Sequence, residues 1–171
     1  MLEVIVLSFI GLAALLACVF CGAGNVRHYA KLRAARRVYE KIQGMEDGQV
    51  IAYVRKIDPY VFEELVLLAF RRKGFKTYRN RRYSGDGGID GKVRINGRTL
   101  LIQDKRYSGH INLCHVQEFE KVCRKRHKNG IFVHTGKTGA ASRETVTESD
   151  RISIISGSAL VDLLKTKKSK K

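Results

Sequence analysis

The chain has 171 residues, 33 of them Lys or Arg against 16 Asp or Glu, for a formal charge of +17. That length holds one domain of ordinary size plus appendages, and the charge favours a polyanionic partner, nucleic acid or anionic lipid. The four cysteines are sparse and unpatterned, which excludes a disulfide framework.

Leu2 to Ala23 is apolar except for Glu3, Ser8 and a few glycines. At about 1.5 Å per residue the run spans roughly 33 Å, enough to cross a hydrocarbon core of about 30 Å, so residues 2–23 read as a single transmembrane helix. A cleaved signal peptide would place basic residues before the apolar core; here Glu3 stands there. Leu15-Leu16-Ala17-Cys18 faintly matches a lipid-acceptor motif, again without the basic start. Arg27, Lys31, Arg33, Arg36, Arg37 and Lys41 follow the span. The positive-inside rule puts them in the cytoplasm, which predicts a single-pass inner-membrane protein with its carboxy-terminal part inside. The same charges suit anionic headgroups.

Residues 24–57 read as a basic juxtamembrane helix and linker. Arg27 to Gln43 carries a thin apolar stripe of Tyr29, Leu32, Val38 and Ile42, Gly44 to Gly48 marks a break, and Gln49 to Ile57 is a short amphipathic piece. Asp58-Pro59 is a helix start, with Asp58 as N-cap and Pro59 in the first position. Val61, Phe62, Leu65, Val66, Leu68 and Ala69 supply its buried face, and Gly74 ends it. Glu63 sits among Phe62, Val66, Leu67 and Phe70, whereas Glu64 reads as the better solvated of the two acids.

Phe75 to Tyr83 reads as a strand. Ser84 to Gly88 is a turn, Ile89 to Ile95 a second strand, Asn96-Gly97 a hairpin turn and Thr99 to Lys105 a third strand. Helices are expected over Val116–Lys128, Ser142–Ser149 and Ser158–Leu164, with strands over Gly130–Thr135 and Ile152–Ile155. Three strands in hairpin order followed by crossover helices imply an α/β fold, a mixed central sheet with helices on both faces. Lys165 to Lys171 reads as a disordered lysine-rich tail.

The chemistry concentrates between the second and third strands. Asp90 closes Gly85-Asp86-Gly87-Gly88-Ile89-Asp90, and Gln103-Asp104-Lys105 follows thirteen residues later. Strand alternation points Gln103 and Lys105 to one face. An acid, an amide oxygen and an ammonium meeting there suit a hard cation beside a phosphodiester. Each residue also has an ordinary use: Asp86 and Asp90 as turn residues, Gln103 and Lys105 as the solvated side of an edge strand, Glu63 as a lysine's partner. Cys114, His115, Cys123 and His127 offer a zinc set on paper, but they include no C-x2-C pair. His110 and His134, like the other histidines, read as surface or core residues.

Phe62-Glu63-Glu64-Leu65, Gly74-Phe75, Ser84 to Asp90 and Gln103-Asp104-Lys105-Arg106-Tyr107 together resemble the Mrr-like restriction endonuclease domain of the PD-(D/E)XK nuclease superfamily. Gly130 to Thr135, Ser142-Arg143-Glu144 and Ile154 to Gly157 with Leu160 resemble its downstream elements. The likeness covers about Pro59 to Leu164 and implies a restriction-endonuclease-like αβββαβ core over 58–164. It implies Asp90 as the acidic metal ligand, Gln103 in the position usually held by Glu, Lys105 as the catalytic lysine and Glu63 as the helix acid. Asp86 would fix the turn. Asp104 departs from the pattern, which has a small or apolar residue there; an arginine partner at the strand end, or a frayed strand, would accommodate it.

The cofactor implied is Mg2+ or Mn2+, held by Asp90, Gln103 and the backbone carbonyl of Asp104. The partner implied is DNA, with Arg81, Arg82, Arg106 and Lys137 as phosphate contacts giving weak sequence preference. Cutting two strands would suit a homodimer, though no residue specifies one. Three functions follow: a membrane-anchored, metal-dependent DNA endonuclease restricting or processing foreign DNA, a non-catalytic membrane tether for nucleic acid on a degenerate nuclease fold, or a structural membrane protein whose charge serves anionic lipid alone.

Overall fold

The computed structural model describes residues 28–79 and 88–166. Among these residues no helix is long and apolar enough to cross a membrane; the apolar segment 2–23 lies outside them, as do Arg81, Arg82, Asp86 and the last five lysine-rich positions.

Six helices and five strands are described: α1 (28–42), α2 (Asp47–Val54), α3 (Pro59–Arg72), β1 (Lys76–Arg79), β2 (Gly91–Ile95), β3 (Arg98–Lys105), α4 (Leu113–Lys125), β4 (Gly130–His134), α5 (Ala140–Glu148), β5 (Ile152–Ile155) and α6 (Gly157–Leu164). The strands form one sheet in the order β1-β2-β3-β4-β5. The first three pair antiparallel, and β3, β4 and β5 pair parallel. The expected mixed sheet is therefore present, and parallel strands joined through α4 and α5 put helices on its faces.

The side chains of β3 divide between two cores. Ile102 packs with α1, α2, α3 and α6 on one face, and Leu101 packs with Val116, Phe119 and Cys123 of α4 on the other. Local signals start α3 as its sequence suggests: the Asp58 side chain accepts from Val61 N at 3.2 Å, and Pro59 occupies the first turn. The β2–β3 hairpin turns at Asn96 and Gly97, both at positive φ, as an Asn-Gly hairpin requires.

Several expectations are corrected by packing. Residues 28–57 are more than a basic helix and linker, because Ala35, Val38, Tyr39 and Ile42 of α1 and Val50 and Val54 of α2 are buried in the core beside α3. The buried α1 stripe runs 35, 38, 39, 42, the spacing of one helix face, while Tyr29 is 60% exposed. Glu64 is not the solvated acid. Its side chain is 1% exposed, takes Arg79 Nε at 2.7 Å and lies 3.8 Å from His28 Nδ1, because α1 crosses over it. Helix α4 begins three residues early, capped by Asn112 on Cys114 N at 2.9 Å. Lys165 and Thr166 are held rather than loose: Lys165 Nζ reaches Met45 O at 2.8 Å and Asp47 Oδ1 at 2.9 Å, and Thr166 N donates to Gln43 Oε1.

Candidate nuclease site

The ladder between β2 and β3 ends at Gly91 opposite Ile102. One residue beyond it, Asp90 N donates to Ile102 O at 2.9 Å. The next β3 amide, Asp104 N, then finds the Asp90 side chain, with Oδ2 at 2.7 Å. A carboxylate thus replaces a ladder partner at the point where the strands part. This explains why β2 starts at Gly91 rather than at Ile89.

Alternation along β3 sends Gln103 toward the α4 side, where Leu101 lies, and Asp104 toward α3, where Ile102 lies. Gln103 is buried, and its Oε1 has no hydrogen-bond partner among the described residues. Its Nε2 fits only because residue 88 is glycine: a Cβ there would sit 2.5 Å from it, and Gly88 has φ +79. Asp104 is 8% exposed and neither of its carboxylate oxygens has a partner among the described residues. The expected arginine partner for Asp104 is therefore not formed there, and the residue is registered opposite Val133 inside the strand rather than frayed.

The acids crowd one another. Burial pushes the Asp90 carboxyl up to about 6, opposed by the Asp104 amide and by the charge of Lys105. Burial, then the charges of Asp90 and Glu64, push Glu63 up to about 8, with Lys105 pulling the other way. Burial, then Asp90 and Glu63, hold Asp104 well above the usual carboxylate range. Three acids and one lysine therefore share an electrostatic neighbourhood at the carboxyl end of β3, the end of a parallel strand where ligands commonly bind.

Asp90, Asp104, Lys105 and Glu63 feel one another's charge, while Gln103 lies next to Asp104 in β3 with its amide against Gly88. Arg106 has a structural place: its Nη1 donates to Arg55 O at 3.0 Å, and Arg55 Nε donates to Thr135 O at 2.9 Å, tying α2 to the ends of β3 and β4. Lys137 is exposed on the loop after β4, which bridges the 109–111 segment through its backbone. Arg81, Arg82 and Asp86 fall outside the described residues. The zinc set is dispersed. Cys114 is exposed, Cys123 is buried, and His115 pairs with the Tyr107 hydroxyl. A hollow of about 810 Å³ lined by Asn96, Arg98, Lys128 and neighbours lies at the far end of β3 and contains none of these acids.

Oxygen donors of the kind a small hard cation takes are present: the Asp90 carboxylate and the orphaned Gln103 Oε1. Among the described residues no three His, Cys, Asp or Glu side chains form a ready-made metal cluster. A cation here would therefore rest on the amide, backbone carbonyl, water or phosphate for its remaining ligands. The donor chemistry fits Mg2+ or Mn2+, which keep several waters, better than a metal needing a closed protein cage.

A family model described as restriction endonuclease, Mrr_cat, matches residues 54–164. The chain belongs to this restriction endonuclease family. Among solved structures it is similar to MspJI restriction endonuclease in complex with a 27-mer oligonucleotide, at 20% sequence identity and a TM-score of 0.50. The match covers 78% of this chain and 31% of that one, so the chain spans about a third of the length of that protein. At this identity the likeness shows the fold. No curated protein matches the sequence. The family match begins within α2 and ends at the close of α6, so it contains Glu63, Asp90, Gln103, Asp104 and Lys105.

Spacing named Asp90, Gln103 and Lys105 as candidates and the family resemblance added Glu63, but neither showed the contacts around them. The Gly88–Gln103 contact had a signal, since a glycine beside an acidic turn often marks close backbone approach. The Arg55–Thr135–Arg106 strut had none, because its three members are far apart in sequence.

Proposed function

We propose that this restriction-family chain is a divalent-metal-dependent endonuclease that hydrolyses DNA phosphodiesters, anchored to the cell inner membrane by residues 2–23 with the 58–164 domain in the cytoplasm. The observation that carries the cation reading is the buried Gln103 Oε1, which has no partner among the described residues, one residue from Asp104, whose amide holds the Asp90 carboxylate, since a buried acceptor without a partner is costly unless a ligand satisfies it. Bound Mg2+ or Mn2+ would neutralise phosphate charge and make a bound water more acidic. Asp90, Gln103 and the Asp104 carbonyl would hold it. Lys105 would oppose charge growing on the phosphoryl oxygens. Glu63, with its carboxyl at about 8, is mostly protonated at neutral pH and would donate a hydrogen bond to a phosphate or water rather than repel it. Basic residues, Lys137 among them, would grip the backbone with little sequence preference. Restriction or processing of foreign DNA follows from the family, and a homodimer would let two such sites cut both strands.

The absence of a ready-made three-acid cluster among the described residues favours a second reading, a membrane tether that binds nucleic acid without cutting it. Incubating the purified full chain, in detergent, with supercoiled plasmid and Mg2+ separates the two. The nuclease reading expects nicking or linearisation that falls by at least about 10²–10³ in Asp90→Ala and Lys105→Ala. Salt-sensitive DNA binding with no cleavage in wild type would leave the tether.

A further inference from the structure

The strand that carries Lys105 leaves the sheet ladder irregularly on both of its edges. Toward β2, Asp104 N donates to the Asp90 side chain, with Oδ2 at 2.7 Å, where a ladder would offer a backbone carbonyl. Toward β4, the parallel pairing ends with Lys105 opposite His134, and Thr135 N donates to Lys105 O at 3.3 Å. In a continued parallel ladder the next bond would run from Tyr107 N to Thr135 O. Tyr107 N donates instead to the Thr135 hydroxyl at 3.0 Å, and that hydroxyl donates back to Tyr107 O at 3.0 Å. The Thr135 carbonyl accepts from Arg55 Nε at 2.9 Å. A side-chain oxygen thus holds β3 one residue before Lys105, and a second holds the chain two residues after it.

A hydroxyl accepts and donates at once, so one side chain satisfies both backbone groups of Tyr107, at a residue that is itself only 1% exposed. Valine has nearly the same shape and would leave both groups without that partner. The chain beyond is packed as closely. A Cβ on Gly136 would lie 2.6 Å from Tyr107 Cβ. The Tyr107 ring meets His134 edge to face with centroids 6.2 Å apart, and its hydroxyl pairs with His115 Nδ1. Thr135 is therefore bonded to α2, to the end of β3 and to the segment after it.

We propose that Thr135 is a positioning residue for Lys105: its hydroxyl fixes the backbone from Lys105 to Tyr107 and so holds the lysine ammonium at one place against the phosphodiester. This rests on the reading of Lys105 in the preceding subsection. A misplacement of about 1 Å in a reacting constellation costs about 10²-fold in rate, so the hydroxyl acts on the reaction through geometry, without touching substrate.

The test uses full-length wild type, Thr135→Ser, Thr135→Ala, Thr135→Val, Lys105→Ala and the double variant Lys105→Ala/Thr135→Ala in detergent. Each cuts supercoiled plasmid with Mg2+ and enzyme in excess, below its own measured melting temperature. The maximal rate constant and the enzyme concentration at half-maximal rate are read separately. We expect Thr135→Val and Thr135→Ala to lower the maximal rate about tenfold to a hundredfold, and to move half-saturation by less than about twofold, because the phosphate grip lies on other residues. Thr135→Ser should come within about threefold of wild type. Ser and Ala differ here by one oxygen, so this comparison decides the matter even if Thr135→Val folds poorly. In the Lys105→Ala background the Thr135→Ala change should lower the rate little further, since two residues acting as one unit are not additive. Wild-type rates in Thr135→Ala and Thr135→Val, a Thr135→Ser variant as slow as Thr135→Ala, or a Thr135→Ala effect undiminished without Lys105 overturns this inference alone and leaves the nuclease reading standing. No cleavage by wild type overturns both.

Discussion

Glu63 makes the stability of the metal-free protein fall with pH in a window that can be worked out. Its carboxyl is raised from 4.5 to about 8, first by burial and then by the charge of Asp90. The folded state therefore holds a proton that the unfolded chain has already released, and folding is favoured by that proton below the folded pKa and loses it above. At pH 6.5 the native group lies about 1.5 units below its midpoint, worth about 2 kcal/mol at 1.36 kcal/mol per unit. By pH 9 that contribution has gone. Glu63 is only partly buried, so solvent screening reduces the loss to about 1–2 kcal/mol, or about 2–8 °C in melting temperature for a chain of this size. Asp90, at about 6, has lost most of its corresponding contribution below this window, and Asp104, held well above the usual carboxylate range by burial, acts with the same sign in wild type and variant. His134, pulled down to about 4 by burial, stays neutral throughout it. Melts of wild type and Glu63→Gln between pH 6.5 and 9, without divalent metal, check the reasoning. Wild type should lose stability across the window; Glu63→Gln, a neutral mimic of the protonated acid, should lose much less and be the more stable of the two at pH 9. A wild-type melting temperature that is flat or rises, or an equal fall in the variant, would refute it.

Three further predictions concern the supports of the site. Gly88→Ala places a Cβ 2.5 Å from Gln103 Nε2 at φ +79; it should cost about 1–2 kcal/mol and, by displacing the amide, lower plasmid cleavage more than tenfold while the chain still melts cooperatively. Gly130→Ala drives a methyl to 2.5 Å from Cys123 Sγ and 2.6 Å from Phe119 Cζ; urea unfolding should register a loss of about 1–3 kcal/mol from overpacking. Glu64→Ala leaves Arg79 without the carboxylate that now lies 2.7 Å from its Nε. A fully buried pair would lose about 3–5 kcal/mol; with the arginine 30% exposed, denaturant melts should show about 1–3 kcal/mol, and no change would mean that the α1–α3–β1 junction does not depend on this ion pair.

Local chemistry wrote much of this fold into the chain. Asp58-Pro59 starts α3, Asn96-Gly97 turns the β2–β3 hairpin, and the buried run from Gly130 makes β4, because caps, turns and short apolar strands depend on residues a few positions apart. The same reach let strand alternation separate Gln103 and Lys105 from Asp104. What required the assembled molecule was every feature made by distant segments meeting. Helix α1 is amphipathic over Ala35, Val38, Tyr39 and Ile42, but only docking on α3 shows that it covers Glu64 and turns an apparently solvated acid into a buried one. Arg106 reads in sequence only as a basic residue, and its Nη1 bond to Arg55 O exists only because α2 packs within reach. Asp104 carries the same lesson: sequence marks it as a departure from pattern, but only the closed sheet buries it and leaves its two oxygens without a partner among the described residues. Burial is a property of the whole fold, so the charges whose behaviour it governs could be named from the sequence and understood only from the tertiary structure.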